Sequence, residues 1–359
     1  MKLPHLKIGD LVARVPIVQG GMGIGVSLSG LASAVANEGG IGVISGVQIG
    51  YREEDFKTDN DAANVRGLIK EIRRARSLSP KGILGVNMMA AVNNYKEMVK
   101  EAVKEKIDII ISGAGLPKNL PELVMGSNTK IAPIVSSGKA ATIITKMWDR
   151  KYKYIPDAVI VEGPKAGGHL GFSLDQLNSV KLPSLQDLVK EVIEALKPFE
   201  EKYKKSIPVI AAGGIYSGKD IAEFLKIGAG GVQMSTRFVG TEECDAHVNF
   251  KNAYISANEE DIQIVKSPVG MPGRAIRNAF VKAVEEQKLK INRCYDCLKP
   301  CNPATTPYCI SDALINSVRG DVENGLVFVG TNGYRMKEIV TVKELIKELV
   351  DEAVEFLNM

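Results

Sequence analysis

Eight short apolar runs rich in Val and Ile, separated by segments with helical spacing, constrain this chain more than any other feature. They fall at 11–19, 40–45, 82–87, 108–112, 131–136, 158–162, 208–212 and 231–235. Continuous apolar runs of this length, bounded by glycine and polar residues, are the pattern of strands buried on both faces. The intervening segments are amphipathic. In 64–77, Val65, Leu68, Ile69 and Ile72 share one face, with Arg66, Lys70, Arg73, Arg74 and Arg76 mostly outside it. Segments 95–106, 139–149, 184–197 and 217–227 behave similarly. Strand–helix alternation implies parallel pairing through right-handed crossovers. Eight such units within residues 1–240 predict an α/β fold closed as a TIM (β/α)8 barrel. An open doubly wound sheet is the competing arrangement.

Beyond residue 240 the rhythm changes. Segments 246–257, 275–288 and 311–319 read as helices around a cysteine-rich loop. Residues 341–358 carry Val342, Leu345, Ile346, Leu349, Val350, Val354 and Leu357 on one stripe. The expected organisation is a barrel over 1–240, an appended mostly helical region over 241–340, and a C-terminal helix over 341–359 packed on the barrel.

Composition narrows the function classes. With 45% apolar and 25% charged residues the chain has the balance of a folded globular protein. Only 6% aromatics argues against stacking platforms for single-stranded nucleic acid. A net charge of +4 is too weak to imply nucleic-acid binding. Residues 15–37 carry no charge and are long enough to suggest a membrane span. Five glycines together with Gln19, Ser27, Ser29, Ser33 and Asn37 instead fit a strand, a glycine loop and a short helix. No apolar signal-peptide core follows residues 1–5. The expectation is a soluble cytoplasmic protein with neither a membrane nor a nucleic acid as partner.

Glycines gather just past the predicted strand ends, at 20–23, 113–115, 163–168 and 213–214. In a barrel these loops share the C-terminal face, where active sites lie. Glycine there either serves tight turns or lets backbone N–H groups approach a ligand. Two nucleotide motifs nearly match and fail. After Gly21-Met22-Gly23-Ile24-Gly25 the third glycine of a dinucleotide fingerprint is replaced by Val26 or Leu28. The next strand ends in Ser45-Gly46, without the acid that would hold a ribose. Gly213–Lys219 fits a P-loop until Asp220 stands where the magnesium-binding hydroxyl belongs. What remains is a monophosphate-sized nest after the seventh strand, backed by Ser235, Thr236 and Arg237 after the eighth.

Six motifs in order carry a family resemblance: Pro16-Ile17-Val18-Gln19-Gly20-Gly21-Met22-Gly23, Gly85-Val86-Asn87, Gly113-Ala114-Gly115-Leu116-Pro117, Ala166-Gly167-Gly168-His169-Leu170-Gly171, Ala211-Ala212-Gly213-Gly214-Ile215 and Val232-Gln233-Met234-Ser235-Thr236-Arg237-Phe238. Together they resemble the nitronate monooxygenase (2-nitropropane dioxygenase-like) family, which includes the flavin-dependent enoyl-ACP reductase II enzymes. The resemblance spans residues 10 to about 280 and implies FMN on a TIM barrel. By position it implies that Gly20, Gly21 and Met22 line the flavin ring and that Gly167 and Gly168 flank it. Asn87 and Glu162 would hold its polar edge or ribityl chain, and Gly213, Gly214, Ser235 and Thr236 would cradle the phosphate. Ser235 departs from the glycine usual before this threonine, which adds a hydroxyl at the phosphate loop.

Of three histidines, only His169 lies in a glycine loop on the predicted active face. A lone histidine is commonly structural, but its pKa also suits general-base chemistry near neutral pH. The resemblance implies two roles for it. In nitronate monooxygenases it removes the proton alpha to the nitro group, FMN accepts electrons and O2 reoxidises the flavin. In the enoyl reductases it orients a thioester carbonyl while NAD(P)H reduces FMN and the flavin reduces an activated C=C bond. The substrate is then a small molecule or an acyl thioester. A flavin-binding protein without robust turnover is the third reading, and a homodimer is left open. Arg274, Arg277 and Asn278 resemble a family segment that could receive an anionic substrate group, with surface arginines on a helix as the commoner explanation. Lys139, after the fifth strand, faces either flavin or solvent.

Cys294-x2-Cys297-x3-Cys301-x7-Cys309 is the strongest local motif outside the barrel. In a reducing compartment four thiols so spaced read as a metal site before a disulfide set. Thiolates suit an iron–sulfur cluster or zinc, with a metal-free thiol loop as the bland alternative. The x2, x3 start resembles the 4Fe–4S loop of other flavin-linked barrel reductases, and typical nitronate monooxygenases lack this segment. Cys244 stands apart.

Overall fold

The computed structural model describes residues 3–289, 291 and 293–359. Met1 and Lys2, part of the segment read for a signal sequence, lie outside them. Two short strands, β1 (Leu6–Ile8) and β2 (Leu11–Ala13), form an antiparallel hairpin. The chain then enters β3 (Ile17–Gln19), β4 (Ile41–Ser45), β5 (Ile83–Met89), β6 (Ile109–Gly113), β7 (Lys130–Val135) and β8 (Val159–Glu162). After the two-residue β9 (Gly168–His169), which lies outside the barrel, come β10 (Val209–Ala212) and β11 (Gly231–Met234). All but β1, β2 and β9 join in one closed parallel barrel, with β11 pairing β3 through Val232–Ile17, Gln233–Val18 and Met234–Gln19. The open-sheet alternative is excluded. The expected first run, 11–19, is two strands, because the chain bends at residues 14–16 and Pro16 has no N–H to continue a ladder.

That hairpin has a structural use. Leu6, Ile8 and Ala13 join inward side chains such as Val18, Ile41, Ile109, Ile160 and Ile210 in a core of their own inside the barrel. The N-terminal end is thereby plugged with apolar side chains, leaving room for a ligand at the other end. Helices cover the outside, within a few residues of where amphipathic spacing predicts them: Asn60–Leu78, Tyr95–Lys104, Gly138–Tyr152, Leu185–Tyr203 and Gly218–Lys226. Among the described residues no helix is long and apolar enough to cross a membrane.

The C-terminal helix, Val342–Asn358, starts with a Thr341–Glu344 capping box and packs on the helix Gly218–Lys226. Gly218 lets the two backbones meet. A Cβ there would lie 2.4 Å from the Leu349 carbonyl oxygen and 2.5 Å from the Ala353 nitrogen. Gly218→Val is therefore expected to cost roughly 1–3 kcal/mol through overpacking. A lowered urea midpoint would show it; an unchanged midpoint would mean the C-terminal helix is not seated on this glycine.

The region after residue 240 is not only helical. Strands β12 (Ile262–Lys266) and β13 (Pro272–Ile276) form an antiparallel sheet with β9, in the order β12-β13-β9. The helix expected over 275–288 is shortened at its start, since Ala275 and Ile276 belong to β13. Asn278 then caps a helix over Ala279–Glu285, its side chain accepting from the Val281 N–H at 3.1 Å. Sheet pairing overrides the helical spacing there. Through β9 this small sheet is stitched to the loop that leaves β8, which holds it over the C-terminal end of the barrel.

Candidate functional site

At that end a cavity of about 440 Å³ opens among the strand termini and the appended region. This is the ordinary size and place of a cofactor or substrate site in a barrel. Gly21, Met22, Asn87, Glu162, Gly167, Gly168, His169, Gly213, Gly214, Ser235 and Thr236 all line it. Gly20 does not. It lies behind the wall, donating its N–H to the Met234 carbonyl at 2.9 Å, and a Cβ there would reach to 2.4 Å from Ser235 Oγ.

The wall suits a flat, polar-edged ring with an anionic tail. Gly21 leaves the wall flat, because a Cβ would lie 2.4 Å from Asn87 Cβ. Gln233 contributes to the wall a buried side-chain oxygen, Oε1, with no protein partner. A polar atom so placed calls for a hydrogen-bonding ligand. Burial pushes the Glu162 carboxyl up to about 7, so it can serve as a hydrogen-bond donor or as a carboxylate near neutral pH. Gly213 and Gly214 hold φ of +99° and +86°, a conformation that side-chain-bearing residues adopt only with strain. The residues present fit FMN.

The phosphate end differs from the expectation in its details. Arg237 pairs with Glu348 at 3.0 Å and stacks 4.6 Å over the Tyr216 ring, so its guanidinium is already engaged. Asn332, from the appended region, donates to the Gly214 carbonyl at 2.7 Å, and Thr236 Oγ1 accepts from the Gly330 N–H at 3.2 Å. The P-loop stays excluded, because the Asp220 carboxylate itself takes the Tyr216 and Ser217 N–H groups at 2.9 Å each.

His169 is held by the small sheet, where it pairs with Gly273. Desolvation lowers its pKa to about 4, so the imidazole is neutral at physiological pH. Its Nε2 lies 2.6 Å from Ser267 Oγ, and Phe328 stands edge-on at 5.0 Å between ring centroids. Tyr308 donates to the Lys266 carbonyl at 2.9 Å, and its hydroxyl neighbours Ser267.

Arg274 does not face a substrate. Buried, it clamps the glycine loop by donating to the carbonyls of Pro164, at 2.8 Å, and Ala166. Arg277 pairs with Glu285 at 2.8 Å, and Asn278 donates to the Gly325 carbonyl at 2.8 Å. None of the three lines the cavity. Lys139 is exposed and also outside it. Sequence reasoning missed Ser267, Phe328 and Asn332. The only local signal for Ser267 was the turn-rich run Ser267-Pro268-Val269-Gly270-Met271-Pro272.

Of the four clustered cysteines, Cys297 lines the cavity and Cys294 is exposed. Among the described residues, no group of three or more His, Cys, Asp or Glu side chains closes on a single metal position. Cys244 is buried, its thiol pushed up to about 12 by desolvation.

Known proteins share the sequence pattern and the fold. A probable nitronate monooxygenase of Staphylococcus aureus is 26% identical over 300 residues, covering 77% of this chain and 79% of that protein. The structure of FabK from Thermotoga maritima superposes with a TM-score of 0.72 at 27% identity, over 96% of this chain and 94% of that one. A nitroalkane oxidase from Streptomyces ansochromogenes shares the fold, with a TM-score of 0.73 at 22% identity over 96% and 97% of the two chains. The nitronate monooxygenase family model matches residues 6–352. A cavity of cofactor size at the mouth of a parallel barrel, with a half-buried histidine in its wall, thus comes with a family match over almost the whole length: the chain belongs to the nitronate monooxygenase family of oxidoreductases.

Proposed function

We propose that this protein is an FMN-dependent oxidoreductase that oxidises alkyl nitronates, with His169 as the base that forms them from nitroalkanes. The observation that carries the reading is an imidazole in the wall of a cofactor-sized cavity, with its Nε2 2.6 Å from Ser267 Oγ. When bound, FMN supplies the electron acceptor, and O2 reoxidises it. Everything else is supplied by the chain. Gly21 and Met22 support the ring, Asn87, Glu162 and Gln233 meet its polar atoms, and Gly213, Gly214, Ser235 and Thr236 receive the phosphate.

A hydrogen-bond chain supports the tautomer that a base needs. The Lys266 carbonyl can only accept, so the Tyr308 O–H points to it. We take the Ser267 hydroxyl to donate toward the neighbouring Tyr308 oxygen, so that Ser267 Oγ accepts the His169 Nε2–H. Nδ1 then keeps its lone pair and takes the substrate proton. Ser267 is a positioning residue in this scheme. Ser267→Ala is expected to lower kcat about tenfold with KM little changed, as befits a lost orienting contact. A rise in KM alone would place Ser267 in substrate binding instead.

The pH dependence follows from the low His169 pKa. As pH falls through about 4, the imidazole gains a proton and stops acting as a base. The acid limb of kcat/KM for a nitroalkane is expected near 4 rather than at the ordinary histidine value of about 6.5. A limb near 6.5 would contradict the desolvated, neutral state.

The likeness to FabK, 27% identical over 96% of this chain, favours a second reading: NAD(P)H-dependent reduction of an activated C=C bond in an acyl thioester. Anaerobic bleaching of the bound flavin separates the two. Bleaching by an alkyl nitronate but not by NADH supports the first; bleaching by NADH supports the second. A protein bleached by neither is a flavin binder without turnover.

A further inference from the structure

The four-cysteine loop is the one sequence motif that the proposed reaction leaves unused. Its thiols are graded in depth. Cys294 is exposed, Cys301 and Cys309 are half-buried, and Cys297 forms part of the cavity wall. The loop is tied down on both sides. On one side the Lys299 N–H donates to the Ala91 carbonyl at 3.0 Å, and Val92 and Leu298 form an antiparallel bridge, which fixes it to the segment leaving β5. On the other, the Tyr295 hydroxyl donates to Asp312 at 2.6 Å, and Cys309 is the N-cap of the helix Ile310–Val318.

Donors already point at the sulfurs. Ser311 Oγ lies 3.3 Å from Cys297 Sγ, and the Asp296 N–H reaches Cys294 Sγ at 3.3 Å. Cys309 sits at the head of the helix Ile310–Val318, and its side chain makes no capping hydrogen bond there. Cys297 lies within electrostatic reach of the other three thiols. Charge on Cys294 acts on Cys297 and Cys301, and charge on Cys297 acts on Cys301 and Cys309.

We infer that Cys294, Cys297, Cys301 and Cys309 hold a four-iron iron–sulfur cluster between the protein surface and the wall of the cavity. The inference rests on the flavin reading of that cavity only for its use, not for its chemistry. Hydrogen bonds to the sulfurs, as found here, are among the features that set cluster potentials. Among the described residues no three donors form a ready site for a single metal ion such as zinc, whereas a four-iron cluster, held by four thiolates, keeps those ligands wider apart than one ion does. A cluster here would pass electrons singly. Two transfers from a reduced one-electron carrier outside, with two protons from water, would reduce a two-electron acceptor in the cavity.

Protein made with iron in supply and purified without oxygen is expected to carry about four irons and four acid-labile sulfides per chain. It should also give a paramagnetic resonance signal after dithionite. Cys301→Ser and Cys309→Ser should lose most of the iron and keep the FMN. Should either variant fail to fold, reconstitution of the wild-type chain with ferrous iron and sulfide provides the same readout. Reduced methyl viologen should bleach bound FMN at least about tenfold faster in cluster-loaded than in cluster-free protein. Zinc in place of iron, or FMN-loaded protein that neither contains nor takes up iron and sulfide, overturns the inference. Iron and sulfide in full with no FMN bound would uphold it and sink the flavin reading instead.

Discussion

His169→Ala is expected to keep FMN bound and to lose about 100- to 10,000-fold in turnover of a neutral nitroalkane, the usual worth of a positioned general base. The loss should be much smaller with a preformed nitronate, because that substrate has already given up the proton His169 removes. This contrast isolates the role. If the imidazole only orients a bound group, both substrates should suffer alike. If neither suffers, the assignment of His169 is wrong. The variant is expected to fold, since His169 is held mainly through backbone pairing of β9 with β13. The ring itself contributes one hydrogen bond, to Ser267, and an edge contact with Phe328. A visible flavin spectrum at full occupancy is therefore the control that makes the loss of turnover interpretable.

The barrel was legible because its strands are buried on both faces. Such strands appear as unbroken runs like Ile109–Gly113 and Val209–Ala212, which no surface strand would tolerate. Its glycine loops were legible as well, since close backbone approach needs residues such as Gly21 and Gly213 wherever the fold brings them together. The roof was harder. Strand β13 is short and contains Pro272 and Gly273, so its pairing with β12 and β9 is a tertiary fact with little local signature. The partners of the site follow the same rule. Ser267 lies 98 residues from His169, and Asn332 lies 118 from Gly214. Periodicity carries no information over such distances. Arg274 shows the converse error: the family resemblance of its segment suggested a substrate contact, but its guanidinium is turned inward onto the carbonyls of the glycine loop.

Gly21→Val is expected to weaken FMN binding by about ten- to a hundredfold while leaving the barrel folded. The position has no spare volume on its protein side. A Cβ would stand 2.4 Å from Asn87 Cβ, 3.1 Å from Asn87 Cγ and 3.4 Å from Val43 Cγ1. Asn87 Cβ is fixed to the backbone of β5, and Val43 belongs to the core inside the barrel, so neither retreats cheaply. The added methyl groups must then point into the cavity that Gly21 lines, where the flavin ring would lie. Overpacking of this kind costs roughly 1–3 kcal/mol, and about 1.4 kcal/mol is a tenfold change in affinity. Met22→Leu, a swap of similar volume on the same wall, serves as the comparison and should bind FMN within a few-fold of the parent. Fluorescence titration of the flavin-free proteins gives the two dissociation constants, and circular dichroism reports whether the barrel persists. Native FMN affinity in Gly21→Val would mean that the ring does not rest on this strand end. The geometry assigned to His169 would have to be rebuilt around a different ring position.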